Sequence, residues 1–150
     1  MITESLIEIF ERDLNKLIAE IKAYREEDNL WLVKEGISNS AGNLCLHLIG
    51  NLNHFIGAAL GNSGYVRERE KEFSSKNIPR KELISNIEKT IQVVKESLFK
   101  LLASDLEKNF PIEVFGKPMT TSFMLIHLTA HLSYHLGQIN YHRRLLDYTN

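Results

Sequence analysis

Apolar residues recur at steps of three and four in four long segments of the 150-residue chain. This spacing constrains the fold more than any other feature, because it places the apolar side chains on one face of an amphipathic helix. The third segment shows the pattern most clearly, with its apolar face formed by Leu83, Ile87, Ile91, Val94, Leu98 and Leu101. We therefore predict helices near 3–27, 42–60, 79–105 and 119–147.

Four such helices predict an all-α chain built as a four-helix bundle, with the helices packed at roughly 20° around one core. The length fits a single domain over residues 1–150. The connections near 28–43 and 61–78 are longer than an up-and-down bundle needs. They leave room for a crossover connection or for a lid over the bundle.

Composition excludes several classes of protein. Lys and Arg number 18 and Asp and Glu 19, for a formal net charge of -1, so no overall charge favours nucleic acid or an anionic membrane. The single cysteine, Cys45, allows neither an intramolecular disulfide nor a Cys-based zinc site, and core packing is its expected role. The sequence shows neither a basic, apolar signal peptide nor an apolar run of ~18 residues. We expect a cytoplasmic protein that binds neither nucleic acid nor a membrane.

The six histidines are confined to two of the predicted helices. On the last helix four of them fall within about 80° of one another on a helical wheel: His127, His131, His135 and His142. On the second helix His47 and His54 share one face, and Asn51 lies between them. Both faces carry apolar neighbours, so these histidines are expected to point inward.

Histidines at positions i and i+4 can share one metal ion, since their Cβ atoms lie about 6 Å apart on one helix face. His131 and His135 have this spacing, and a third imidazole from a facing helix would complete a three-ligand site with an open position. Zn²⁺, Ni²⁺ and Fe²⁺ all accept imidazole. The alternative, hydrogen-bonded core histidines, would require many buried partners.

Other polar residues are candidates for supporting roles near such a site. His127, His54 and Asn51 are candidates for contacts to the ligands or for proton transfer. Gln138, one turn beyond His135, could orient a ligand or hold a water molecule. His142 lies near the helix end and is expected to be a partly exposed polar residue.

Two charged features outside the histidine faces can each be interpreted in two ways. Residues 65–73 alternate in charge and are either a solvated loop or a segment whose Arg67 and Arg69 hold an anionic group. Asp13 falls on the apolar side of the first helix, where it is either a surface carboxylate at the edge of the stripe or a polar group inside the bundle.

The segment from His131 to Ile139, HLSYHLGQI, resembles the last helix of DinB/YfiT-like proteins, and Leu46–Asn51, LHLIGN, resembles their histidine-bearing second helix. The segment Gly64–Arg69 with the following Glu70, GYVRERE, is further similar to an uncharacterised subgroup of that superfamily. The resemblance implies a four-helix bundle, frequent homodimers and a divalent metal held by His47, His131 and His135. His54, His127 and His142 are additional to that motif.

Characterised proteins of the superfamily include metal-dependent transferases and isomerases that use a low-molecular-weight thiol. The first functional hypothesis is therefore an enzyme that activates a thiol, with Arg67 and Arg69 binding the anionic thiol cofactor. The second is a non-catalytic metal- or ligand-binding bundle, for example a stress-response protein. Both predict a bound metal and a small-molecule ligand, so a panel of thiols and electrophiles distinguishes them.

Overall fold

The computed structural model describes residues 1–148 and is all-α over that range. Its helices in chain order are α1 (Ile2–Ala23), α2 (Ala41–Leu52), α3 (Arg69–Ser74), α4 (Arg80–Phe99), α5 (Ala103–Leu106) and α6 (Thr121–Leu146). A 3-10 turn at Glu27–Trp31 precedes α2, and a π-helical segment at Asn53–Ala58 extends it. The four long predicted helices are confirmed, but the third ends at Phe99 rather than near residue 105, because the chain leaves the helix before the separate α5 begins at Ala103.

Local signals explain where the two site-bearing helices begin. The side chain of Ser40 accepts a hydrogen bond from the backbone N–H of Asn43 at 3.1 Å, which caps α2. Thr120 caps α6 in the same way through the N–H of Phe123, also at 3.1 Å. Gly42 in the first turn of α2 lies against the ring of Trp31, and a Cβ there would come within 2.7 Å of ring atoms.

The four long helices form a ring in which sequence neighbours are not always spatial neighbours. α1 packs mainly on α4 and α6, and α2 packs on the same two helices. α1 and α2 therefore lie diagonally across the bundle, so the connection between them is a crossover, one of the two alternatives that its length allowed. The core between them contains large, fully buried side chains such as Phe10, Leu48, Leu83 and Leu132.

The connection from α2 to α4 also folds back over α2. The side-chain amide of Asn43 donates to the backbone carbonyls of Glu72 and Ser75, at 2.9 and 2.8 Å. These bonds satisfy carbonyls at the end of α3, where no helical partner remains. The short α3 is thereby fixed on α2, next to the face that carries His47.

Two expectations at α1 need correction. The helix ends at Ala23 rather than near residue 27, because Tyr24 is extended (φ -60°, ψ 127°) and turns its ring into the core. Asp13 is not a surface carboxylate: it is buried, and its oxygens accept from Arg12 at 2.8 and 3.3 Å. Arg12 lies on the exposed side of the helix, so its guanidinium covers Asp13 from solvent.

Within residues 1–148 no helix is long and apolar enough to cross a membrane.

Candidate metal centre

Three imidazoles from two helices converge between α2 and α6. Nε2 of His131 lies 3.2 Å from Nε2 of His47 and 3.2 Å from Nε2 of His135. One ring nitrogen of each residue falls within 4.8 Å of the other two. The two histidines on α6 are one turn apart, and His47 approaches from the facing helix.

Hydrogen bonds at the opposite ring atoms set the tautomers of two of these histidines. Nδ1 of His47 faces a carboxylate oxygen of Glu72 at 3.0 Å, and Nδ1 of His135 faces the amide oxygen of Gln138 at 2.7 Å. Both oxygens are acceptors, so each Nδ1 carries the proton. The Nε2 atoms of His47 and His135 therefore present lone pairs to the centre of the cluster.

The cluster is poorly satisfied by hydrogen bonds alone. His131 has one ring proton in its neutral form, whereas two lone pairs from its neighbours face its Nε2. Its Nδ1 is buried and has no hydrogen-bond partner among residues 1–148. Buried polar atoms in proteins are rarely left in this state. A divalent cation between the three nitrogens would satisfy them together, so the residues present fit a metal and could hold one.

Burial favours the neutral form of the two imidazoles on α6, the form that metal ligation requires. The pKa of His131 is lowered to about 4, first by burial and then by the neighbouring imidazoles of His135 and His47. Burial also lowers the pKa of His135, although its hydrogen bond to Gln138 opposes the change. These two ligands need not lose a proton to bind a cation at neutral pH.

Glu72, on α3, contacts the Nδ1 side of the His47 ring, away from the other two histidines. Its carboxylate is buried, and it also accepts two hydrogen bonds from Arg67, from Nε at 2.8 Å and from Nη2 at 2.9 Å. Burial alone would raise the pKa of Glu72, but the hydrogen bonds from His47 and Arg67 outweigh it, so the pKa lies below its usual value. The group is therefore a carboxylate at neutral pH.

Gly50 makes room for this carboxylate on the surface of α2. A Cβ at position 50 would overlap Oε2 of Glu72 and lie 2.6 Å from its Cδ. The glycine is thus required by a close approach of another side chain rather than by its own backbone conformation. The same carboxylate could not reach His47 across a bulkier helix face.

Aromatic side chains cover the cluster on two sides. The ring of Phe73 lies 4.9 Å from that of His47, and the ring of His127 stacks on that of His131 at 6.3 Å. Phe115 contacts the far side of His127, with ring centroids 4.9 Å apart. His127 is therefore a neighbour of the ligands, as predicted, and its place in the stack lets it shield His131 from solvent.

A cavity of about 450 Å³ opens beside His135 and Gln138. Its other lining residues carry no carboxylate, ammonium or guanidinium group: Gly36, Ile37, Ser38, Asn39, Leu44, Tyr134, Tyr141, His142 and Leu145. The cavity is thus a place where an uncharged small molecule could approach the cluster.

Three other predicted site residues form no hydrogen bond to the three histidines within residues 1–148. His54 shares the helical face of His47 but lies two turns, about 10 Å, further along the helix, where its ring contacts Phe55. Asn51 is buried, and its side-chain oxygen has no partner within residues 1–148. The guanidinium of Arg69 lies over the ring of Phe73, 5.3 Å from its centroid.

The expectation that His142 is partly exposed is wrong. It is buried, its Nδ1 lies 2.6 Å from the hydroxyl of Tyr24, and its Nε2 lies 2.9 Å from the carbonyl of Leu32. The carbonyl can only accept, so Nε2 donates and Nδ1 accepts from Tyr24. Both nitrogens are used, and His142 joins α6 to the end of α1 instead of contributing to the cluster.

Sequence reasoning missed Glu72. It belongs to an alternating charge run that predicts a solvated loop, and 25 residues separate it from His47. The local signal that might have found it is Gly50 in the middle of a helix one turn beyond His47, because an interior helical glycine indicates a close approach by another group.

Comparison with known proteins gives one family match. A family model described as a protein of unknown function, DUF1572, matches residues 3–150 of the chain. No curated protein matches it.

Proposed function

Because the chain belongs to the DUF1572 family, whose function is not established, we propose its function from its own site. We propose that it is a divalent-metal protein that activates a low-molecular-weight thiol for transfer to an uncharged electrophilic molecule. The observation that carries the proposal is the inward-facing trio of nitrogens on His47, His131 and His135. Its resemblance to DinB/YfiT-like proteins supports the same conclusion.

When bound, a divalent cation supplies a Lewis acid that lowers the pKa of a coordinated thiol or water. The surrounding residues favour a thiol. Attack by water is assisted by a carboxylate that can act as general base. Glu72 is paired with both His47 and Arg67, and is therefore not free to accept a proton. A thiol is acidic enough to need no such base.

The side chains have separate tasks in this proposal. Glu72 and Gln138 hold two ligand rings in the orientation and tautomer that metal binding requires. Phe73 and His127 limit access by solvent on two sides. In the transfer itself, the thiol proton passes to solvent, a sulfur–carbon bond forms, and the leaving group departs with its bonding electron pair.

The electrophile is proposed to occupy the cavity beside His135. Since its lining carries no acidic or strongly basic side chain, a charged molecule would lose hydration there without gaining a partner. Tyr134 and Tyr141 offer aromatic faces and hydroxyls to an uncharged, partly apolar compound. This assigns the electrophile to the α6 side of the cluster.

The thiol is proposed to approach from the side of α3. Of the two arginines in that segment, Arg69 forms no ion pair within residues 1–148, whereas Arg67 is bound to Glu72. Arg69 is therefore the better candidate to meet an anionic group of a thiol cofactor. Replacing Arg69 with Glu should weaken thiol binding and leave the metal in place.

One observation also favours a second candidate, a non-catalytic metal-binding protein. The pairing of Glu72 leaves the carboxylate nearest the cluster unable to relay a proton, which a storage or sensing site would not need. Both candidates predict bound metal. They differ in whether a thiol reaches the cation and whether an electrophile is consumed.

The deciding experiment uses protein purified without a histidine tag and loaded with Co²⁺. Physiological thiols should alter its visible spectrum through sulfur-to-metal charge transfer, and a panel of uncharged electrophiles should then be consumed. The His131→Ala/His135→Ala variant is the control. If no thiol alters the spectrum and no electrophile is consumed, the non-catalytic candidate replaces the enzyme.

We also propose that the protein is a homodimer that pairs through α6. Five large side chains on one face of this helix are more than half exposed: Phe123, Ile126, Tyr134, Tyr141 and Leu145. An exposed apolar strip of this kind is typical of an interaction surface. Because Tyr134 and Tyr141 also line the cavity, a second copy would cover one of its walls. Light scattering at micromolar concentration should give twice 17.3 kDa, and the monomer mass would refute the proposal.

A further inference from the structure

The ion pair between Arg67 and Glu72 has a second partner in His47. Oε1 of Glu72 lies 3.0 Å from Nδ1 of His47 and 2.9 Å from Nη2 of Arg67. Nη2 of Arg67 is itself only 3.5 Å from Nδ1 of His47. A single carboxylate therefore serves a candidate metal ligand and a guanidinium at the same time.

The two charges act in opposite directions on a cation held at the other side of the His47 ring. A carboxylate that accepts the Nδ1 proton makes the imidazole a stronger ligand. The guanidinium draws charge from the same carboxylate and repels a cation directly. The side chains of Arg67 and Glu72 are only 11% and 7% exposed, so solvent screens them weakly.

The surroundings fix Arg67 in this position. Its guanidinium carbon lies 5.7 Å from the ring centroid of Phe55, and Gly50 leaves the space in which the carboxylate meets it. The arginine is thus built into the wall of the site and is not free to turn toward a ligand in the manner of an exposed side chain.

We propose that Arg67 limits the metal affinity of the three-histidine site by neutralising Glu72. Glu72 is a positioning residue that strengthens His47 as a ligand, and the positive charge of Arg67 reduces this effect. The inference rests on the proposed function only in requiring a divalent cation at His47, His131 and His135. It assigns Arg67 to control of the cation, in place of the predicted contact with an anionic cofactor.

The test measures Zn²⁺ affinity by competition with a chromophoric chelator, using tag-free protein. Three variants are compared with the wild type: Arg67→Gln, Glu72→Gln and the double variant. Arg67→Gln should bind Zn²⁺ several-fold more tightly, since Glu72 then acts on His47 unopposed. Glu72→Gln should bind about tenfold or more weakly, because an unpaired guanidinium remains beside the ligand. The double variant should bind more tightly than Glu72→Gln and more weakly than the wild type.

Lys71→Gln is the matched control, because Lys71 lies in the same segment and its ammonium group pairs with the exposed Glu68 rather than with Glu72. It should bind Zn²⁺ as the wild type does. The ¹⁵N shifts of the His47 ring in metal-free protein give a second readout. They should show the Nδ1-protonated tautomer in both the wild type and Arg67→Gln, since Glu72 remains its acceptor in each.

A purely structural ion pair predicts a different pattern, in which both single variants weaken binding and the double variant rescues neither. The inference is overturned if Arg67→Gln binds Zn²⁺ no more tightly than the wild type, or if the double variant binds no more tightly than Glu72→Gln. Loss of electrophile turnover with the affinity order intact would refute only the proposed thiol chemistry. If the electrophile is turned over but the variants do not show the expected order of Zn²⁺ affinity, only the role of Arg67 is refuted.

Discussion

Replacing Gly50 with alanine should destabilise the protein, although alanine is the better helix former. In an open helix interior the change stabilises by about 1 kcal/mol. Here the new Cβ would overlap Oε2 of Glu72 and lie 2.6 Å from its Cδ. To reach ordinary van der Waals distance the carboxyl group must move by about 1 Å or more.

The buried carboxylate cannot make this movement without loss. It is held by His47 at 3.0 Å and by Arg67 at 2.8 and 2.9 Å, so the shift breaks at least one of these bonds. A hydrogen bond to a charged group contributes about 1.5–3 kcal/mol. After the gain in helix propensity, we expect a net loss of about 0.5–2 kcal/mol, which lowers Tm by roughly 1–8 °C at this chain length.

Urea and thermal unfolding of metal-free protein measure this effect. Gly137→Ala is the matched control, because Gly137 lies within α6 and a Cβ there meets nothing within 4 Å. That variant should be stabilised by about 0.5–1 kcal/mol. If Gly50→Ala is as stable as the wild type while the control behaves as expected, Glu72 is not held as the structure indicates, and the reasoning is refuted.

Further predictions concern the cluster and the buried pair behind it. The His131→Ala/His135→Ala variant should lose stoichiometric metal yet keep its helical circular dichroism; metal retained at one equivalent would contradict the assignment. Chelation should lower the stability of the wild type, by about 2.7 kcal/mol if free metal stood at 100 times Kd, and leave that variant unchanged. Tyr24→Phe removes the hydroxyl that donates to Nδ1 of His142, and should cost about 1–3 kcal/mol in urea unfolding; a loss below about 0.5 kcal/mol would contradict this. Burial lowers the pKa of His142, although its hydrogen bond to Leu32 and the charge of Asp147 act in the opposite direction. As the pH falls, His142 is therefore protonated in the unfolded chain before it is protonated in the folded one. Wild-type stability should therefore fall as pH drops below about 6.5, and His142→Gln should reduce that fall; equal pH dependence would refute it.

The sequence predicts two of the candidate ligands because the spacing that brings them together lies within one helix. His131 and His135 are one helical turn apart, and the wheel alone brings them to one face. Helix geometry does not choose between His47 and His54, which share one face of the second helix, and only the family resemblance of Leu46–Asn51 indicates His47. Gln138 follows from the same geometry, since it lies three residues beyond His135.

The sequence does not predict contacts made by irregular segments. Glu72 reaches His47 only because the connection between α2 and α4 folds back and is fixed by Asn43. The burial of His142 similarly depends on where α1 ends and where Tyr24 turns its ring. Periodicity describes which face of a helix is apolar, and carries no information on where a loop returns.

The separation of the ligands along the chain has a consequence for biosynthesis. His47 and His131 are 84 residues apart, and α1 packs mainly on α4 and α6. At about 5–20 residues per second, the ribosome needs about 4–17 s to add the second ligand after the first. During that interval the nascent chain contains only one of the three candidate ligands, and the apolar faces of α1 and α2 are not yet covered by α6. The three nitrogens can therefore come together only after α6 has been synthesised and has docked, and until then these faces need protection from aggregation.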